Sequence, residues 1–399
     1  NNIRALFMST TTTLADRNIK YYVWVRIFAK RVFLPITAIY FIDTAGLTIR
    51  DIGLLSAYFS LVQFIAEIPT GYFADRIGRV RSLRVGTLLA AIATTIYVLI
   101  HHRVGIYLGV GIEAIAYSFM GGAGEALIHD SLKAKNQTSM YTKIMSKNMS
   151  ISLIANAILV AFATYTYRLD PRLPFALGTI CYLLLLLATS KLKDIYPPKT
   201  KPLKLTIPTF TFLTTHKSML AFGLTFGTIS ALYTSPNDMF NIALREYGIR
   251  VENLGLIYGL GSILGAIVGP LNSYLRRLPA NIYVLVDSCM LLVLYAAAYV
   301  GNPYLLAVIM IIAISFWRYR RIIYQDYLLR IYPNAYKATL VSTLNNLDQA
   351  NAIWLPLAIT SAIHYLGLSS GFGLMFIFTL LIAPIFYLST KRFIVKQLN

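Results

Sequence analysis

Apolar residues in this 399-residue chain do not alternate with polar ones. They come in continuous runs of roughly 18–28 residues, separated by short segments rich in Lys, Arg, Gly and Pro. The runs fall at about 20–42, 52–71, 83–101, 104–131, 143–167, 173–190, 218–239, 253–275, 279–300, 303–329, 337–364 and 368–390. Roughly 20 apolar residues make a helix long enough to cross a bilayer. Lipid offers the backbone no hydrogen-bond partner, so each run is expected to be helical. Continuous runs exclude a transmembrane barrel, whose strands alternate. The predicted fold class is all-α: a polytopic membrane protein with twelve transmembrane helices in two six-helix halves. Residues 1–192 form the N-terminal half and 218–399 the C-terminal half. Between them, 193–217 reads as a cytoplasmic linker, with Pro197, Pro198, Pro202 and Pro208 among lysines.

Composition agrees with this class. Charged residues make up 13% of the chain and hydrophobic ones 57%, against about 25% charged in soluble proteins. The net charge is +20. On a soluble chain that would suggest nucleic acid; here the charges lie mostly between the runs. With twelve spans both termini share one side. Loops and the adjoining run ends on that side hold 24 of the 36 Lys and Arg residues, the opposite loops hold six, and six lie deep within runs. This bias predicts cytoplasmic termini in the cell membrane. Cys181 and Cys289 both lie inside runs and give neither a metal pattern nor a disulfide. No phosphate loop of an ATP-driven motor is present. No cofactor, metal or enzymatic activity is expected. No cleavable signal peptide is read, and Met8 is a plausible start.

The segment Gly71-Tyr72-Phe73-Ala74-Asp75-Arg76-Ile77-Gly78-Arg79-Val80-Arg81 places four charges and two glycines in a tight turn between the second and third runs. It resembles the loop after the second helix of the major facilitator superfamily, whose pattern is roughly G-x-x-x-D-R-x-G-R-R/K. Gly71, Asp75, Arg76, Gly78 and Arg79 match; Val80 stands at the last basic place, with Arg81 one step later. The resemblance implies two repeated halves and a loop that clamps the cytoplasmic side while the carrier is open outward. It also implies that Asp75 approaches Tyr336 to Thr339 and that Arg79 or Arg76 meets Asp130 or Glu125. The alternative is a topology signal alone. Glu67-Ile68-Pro69-Thr70-Gly71 and the Glu125–Leu132 segment look most like efflux-type members from prokaryotes. The runs Glu125–Leu132 and Arg321–Leu328 hold Asp130 and Asp326 in register, an internal echo of the two halves.

Charged residues inside runs are expensive and carry the candidate chemistry. Glu113 lies about 14 Å into the fourth run at 1.5 Å per residue. It faces a cavity, pairs with a cation, or carries a proton. Glu125 and Asp348 are the other proton candidates. Arg26 and Lys30 are predicted as i,i+4 neighbours on one helix face. Arg318 lies about 18 Å from its helix end, too deep for easy snorkelling. Family resemblance assigns the first, fourth, seventh and tenth runs to a central cavity, so Arg26, Lys30, Tyr117, Tyr233, Asp238, Arg318, Arg321 and Gln325 are candidate lining residues. Pro236 is expected to break the seventh run. The basic residues bind an anionic substrate or pair with Glu113, Glu125 and Asp326. The first reading is a monomeric secondary transporter using alternating access, with proton-coupled efflux of a drug-like or metabolite compound. The partners are a small-molecule substrate, protons and the lipid bilayer, with no nucleic acid. Alternatives are an organic-anion uptake or exchange carrier using Lys30 and Arg318, and a lipid flippase or scramblase on the same scaffold.

Overall fold

The computed structural model describes residues 2–196, 217–269, 275, 277–331 and 337–395, with side chains except at 2–12, 217–218, 321, 325, 328–331, 337–346 and 395. Among the described residues every regular element is helical. In chain order these are α1 (Asn2–Phe28), α2 (Thr37–Ala45), α3 (Ile49–Ile77), α4 (Arg79–Leu99), α5 (Arg103–Met120), α6 (Ala123–Ala134), α7 (Tyr141–Tyr165) and α8 (Leu173–Ser190). There follow α9 (Lys217–Thr234), α10 (Asn237–Glu246), α11 (Leu254–Val268), α12 (Ala280–Val300), α13 (Pro303–Ile331), α14 (Lys337–Leu366) and α15 (Leu368–Thr390). Within the described residues, eight helical segments have the length and hydropathy to cross a membrane. The first, seventh, tenth and eleventh expected runs are helical but fall outside that set. Two are interrupted. The tenth carries Arg318, Arg320 and Arg321, and the eleventh carries Asp348 among Asn and Gln.

Three interruptions have local causes. The first run stops at Phe28 and resumes after a 3-10 turn, Leu34–Ile36; Pro35 lacks an N–H and its ring opposes a continuing helix. The fourth run breaks between Met120 and Ala123, where Gly122 adopts φ +68°, a left-handed geometry natural to glycine. The seventh breaks before Asn237, with Pro236 at the cap of α10. The expected i,i+4 relation of Arg26 and Lys30 is therefore corrected, because Lys30 lies beyond the end of α1. The expected turn at 71–81 is corrected too. α3 continues to Ile77, and the connection to α4 is Gly78 alone.

The chain divides into two compact units. One holds Asn1–Leu34, Thr44–Gly46 and Leu61–Leu203; the other holds Pro35–Asp43, Leu47–Ser60 and Lys204–Asn399. In the first, α4 packs along α5 and α8. Gly109 lets the Tyr97 ring lie directly on α5, where a Cβ would sit 2.5 Å from Cε1. In the second, α9, α12, α13 and α15 enclose an aromatic core of Phe222, Phe226, Tyr283, Tyr324 and Phe386. Outward-facing Ile158, Leu187, Ile267 and Leu381 are each more than 60% exposed, as suits side chains solvated by lipid.

Candidate functional site

Two of the helix breaks border one cavity in the first unit. It measures about 250 Å³ and is lined by Ala29 and Lys30 from the break after α1 and by Gly121 and Gly122 from the break before α6. Arg26, Tyr117 and Glu125 complete its polar wall; Tyr22, Val25, Leu83 and Met120 supply apolar surface. Arg26 Nη1 lies 3.5 Å from Glu125 Oε1, with side chains 25% and 55% exposed. This is a loose, wetted pair. Tyr117 is fixed from behind by a 2.9 Å hydrogen bond between its hydroxyl and that of Tyr182. Arg26, Lys30, Tyr117 and Glu125, scattered over about 100 residues of sequence, thus share one wall.

Glu113 lies elsewhere in that unit. Its Oε1 is 2.9 Å from Arg31 Nε, and the two side chains are 5% and 24% exposed. The N–H does not point along that line, so the contact is a charge pair rather than an aligned hydrogen bond. Tyr97 donates to the other carboxylate oxygen at 2.8 Å. The Arg31 guanidinium also stacks 4.3 Å over the Tyr117 ring, a cation–π arrangement. The break after α1 is what lets Arg31 turn toward α5.

At the gate segment, Gly71, Asp75 and Arg76 are exposed on the last turns of α3. Arg76 stacks over Tyr72 at 5.0 Å. A side chain at Gly71 would meet nothing within 4 Å. The partner expected for Asp75, near Tyr336 to Thr339, lies outside the described side chains. Arg79 Nη1 is 3.0 Å from Asp130 Oδ2. Gly78 has φ +111°, and a Cβ there would fall 2.5 Å from Asp194 Oδ2. Asp194 Oδ1 accepts from the backbone N–H groups of Arg79 at 3.0 Å and Val80 at 3.2 Å, capping α4. The segment after α8 is held further by Arg84, which donates to the carbonyls of Thr189, Ser190 and Leu192. The buried Asn18 exchanges hydrogen bonds with the Lys193 backbone. Sequence reading missed Asp194; the available signal was a lone acid in a Lys-rich stretch.

The second unit has its own buried charge pair. Arg320 Nε donates to both oxygens of Asp287, at 2.9 and 2.7 Å, with side chains 1% and 0% exposed. Tyr324 donates to Asp287 Oδ2, and Tyr233 to the Asp287 carbonyl, each at 2.8 Å. Four rings, those of Phe226, Tyr233, Trp317 and Tyr324, lie 4.7–5.7 Å from the guanidinium. Arg318 Nη2 donates to Ser262 Oγ at 2.6 Å. Asp238 is half-buried in the first turn of α10, and Asp348 is half-buried on α14. The side chains of Arg321 and Gln325 lie outside the described residues. Arg245 binds Asp43 at 2.7 Å. The first unit's pair uses the first and fourth runs with a tyrosine from the third; the second unit's uses the ninth and tenth with a tyrosine from the seventh. These are the same three positions in each half.

The Major Facilitator Superfamily model matches residues 22–356, so the chain belongs to the Major Facilitator Superfamily. It is a multi-pass membrane transporter, not an enzyme. An uncharacterized transporter of this type, YxaM of Bacillus subtilis (strain 168), is 23% identical over 368 residues, covering 88% of this chain and 90% of YxaM. Among solved structures, a mutant of the nucleoside transporter NupG superposes with a TM-score of 0.81 at 14% identity, covering 93% of this chain and 98% of NupG. A mutant peptide transporter, POT, in complex with sulfate gives 0.77 at 14% identity, covering 96% and 95%. These likenesses describe the fold.

Proposed function

We propose that the chain is a proton-coupled secondary transporter that moves a small organic solute by alternating access. The two six-helix halves are the moving bodies, the cavity beside Arg26 and Glu125 is part of the solute path, and both termini face the cytoplasm. One observation carries this reading: a wetted carboxylate, Glu125, sits on the cavity wall against a cation it holds only loosely. A coupling acid must exchange its proton with water and change partners during the cycle. Glu125 can do both. Glu113 is enclosed by Arg31 and Tyr97, an arrangement that suits a structural counter-ion. Asp130, paired with Arg79, and Asp75 are the gate residues of this reading, with Asp194 holding the turn between them. We assign outward movement, on the resemblance of Glu67–Gly71 and Glu125–Leu132 to efflux-type members. The cavity is smaller than the roughly 300–1,000 Å³ that drug-sized ligands occupy, which favours a metabolite-sized solute.

The test is solute flux in proteoliposomes of known orientation, with an imposed pH gradient and with none. Reversing the gradient should reverse net movement. Flux indifferent to the gradient removes proton coupling, and movement of labelled lipid without solute favours a flippase or scramblase.

A further inference from the structure

We infer that Arg318 is an anion-binding residue of the second unit, so that the transported solute carries an anionic group. That the anion is the solute rests on the transport reading above; that Arg318 binds one does not.

Among the deep arginines with described side chains, all but one face an acid. Arg31 is paired with Glu113 and Arg320 with Asp287. Arg26 keeps its looser contact with Glu125. Arg318 has no such partner. All 16 Asp and Glu side chains of the chain lie among the described residues, and none of them pairs with Arg318. Four rings surround the Arg320 guanidinium; among the described residues none stacks on that of Arg318.

Local geometry holds Arg318 in place without neutralising it. Arg318 and Arg320 stand about 200° apart around α13, at about 100° per residue, so Arg320 enters the aromatic core while Arg318 turns to α11. Gly265 lets the Arg318 stem lie along α11, since a Cβ there would sit 3.2 Å from Arg318 Cδ. One turn earlier Ser262 Oγ accepts from Arg318 Nη2 at 2.6 Å. Ser262 gives its own proton to the Tyr258 carbonyl at 2.7 Å. It therefore orients the guanidinium and cancels none of its charge. A guanidinium has five N–H donors. That to Ser262 is the one used here, and Nε is buried without an acceptor.

The missing charge has to come from outside the protein. Arginine keeps its proton at any working pH, and an uncompensated charge at membrane depth is costly. Arg318 is half-buried and lies roughly 20 Å from either end of α13, too deep for its side chain to snorkel to the surface. Lipid headgroups lie about 15 Å from the midplane, at the edges of the hydrocarbon core, so they do not reach it. An anionic group brought by a solute supplies both the negative charge and the acceptors that the free N–H donors lack. The planar fork suits a carboxylate or a phosphate.

The experiment is modification of the purified full chain in detergent by the arginine reagent phenylglyoxal, read residue by residue by mass spectrometry. It is run in sodium phosphate and in sodium chloride of equal ionic strength. Arg318 should react in chloride, and phosphate should slow its reaction about tenfold, the scale of one charge-assisted hydrogen bond. The exposed Arg250 should react alike in both salts. Equal modification of Arg318 in the two salts overturns the inference. So does an Arg318 left unmodified while Arg250 reacts, because a solute could not reach it. Unfolding midpoints in chloride add a second check. Arg318→Gln should unfold at or above the wild-type midpoint, since it removes a charge that no acid of the protein balances. Arg320→Gln should unfold well below it, since it orphans the enclosed Asp287. An Arg318→Gln protein as destabilised as Arg320→Gln overturns the inference. The labelling uses the wild type and decides the matter even where a variant fails to fold. No pH gradient is involved. Phosphate protection with gradient-independent flux would therefore remove the proton assignment and keep the anion site; gradient-driven flux without protection would do the reverse.

Discussion

Replacing Glu113 by Gln tests how the first unit holds its buried charge. The substitution keeps the shape and removes the counter-ion of Arg31. Orphaning one member of a buried pair costs about 3–5 kcal/mol. The geometry sets which end of that range applies. Arg31 is 24% exposed and keeps its stacking over Tyr117 once abandoned, whereas Glu113 is 5% exposed and is left with the Tyr97 hydroxyl alone. Glu113→Gln should therefore cost about 3 kcal/mol, and Arg31→Gln nearer about 5 kcal/mol. Gln has one acceptor oxygen where the carboxylate had two, so with that oxygen on Arg31 its amide must donate to the Tyr97 hydroxyl, whose own proton then loses its acceptor. At roughly 2–4 °C per kcal/mol for units of this size, Glu113→Gln should lower the unfolding midpoint by about 6–12 °C. The double variant Glu113→Gln/Arg31→Gln removes both charges and should recover about 2 kcal/mol relative to additivity. The assay is thermal unfolding of the four proteins in one detergent. Strict additivity, or a Glu113→Gln protein as stable as wild type, would refute the structural role. A stable Glu113→Gln protein that has lost gradient-driven flux would move the coupling proton from Glu125 to Glu113.

Two further outcomes follow from the same physics. Asp194→Ala removes the cap of α4 and should cost about 1 kcal/mol, with faster hydrogen exchange at the Arg79 and Val80 amides; protection equal to wild type would count against the cap. Asp287→Asn leaves Arg320 fully buried without its counter-ion and should destabilise by about 3–5 kcal/mol. By contrast Asp43→Asn breaks a pair about one-third exposed on each side and should cost under about 1 kcal/mol. Equal midpoints for these two variants would contradict the burial argument.

Hydropathy made the helices legible, because lipid forces every long apolar run to satisfy its own backbone. It hid the breaks. Ala29–Phe33 and Gly121-Gly122 sit inside apolar runs, and hydropathy counts side chains, not backbone geometry. Pro35 and the paired glycines were the local signals. That blindness is why Arg26 and Lys30 were read as neighbours on one helix, although they meet at a break. The family resemblance, by contrast, offered Arg79 or Arg76 against Asp130 or Glu125, and the structure pairs Arg79 with Asp130. Asp194 escaped because its partners, the Arg79 and Val80 amides, are more than 100 residues away. A helix cap made from that distance leaves no periodic trace. Tyr97 is only 16 residues from Glu113, but its ring lies against α5 where Gly109 leaves it room, a fit that hydropathy does not register. Sequence depth marked Glu113 as facing a cavity, pairing with a cation or carrying a proton; it could not show that Arg31 turns inward at the break to be that cation.

The most direct test of the transport mechanism is net flux against exchange in one purified variant, Glu125→Gln, using a labelled solute that the wild-type protein carries and that does not cross protein-free liposomes. Net flux driven by an imposed pH gradient requires the coupling acid to load and release its proton. Exchange of internal for external solute at equal pH does not. If Glu125 couples proton and solute, Glu125→Gln should abolish gradient-driven net flux while exchange continues. Gradient-driven flux at the wild-type rate in Glu125→Gln would contradict it.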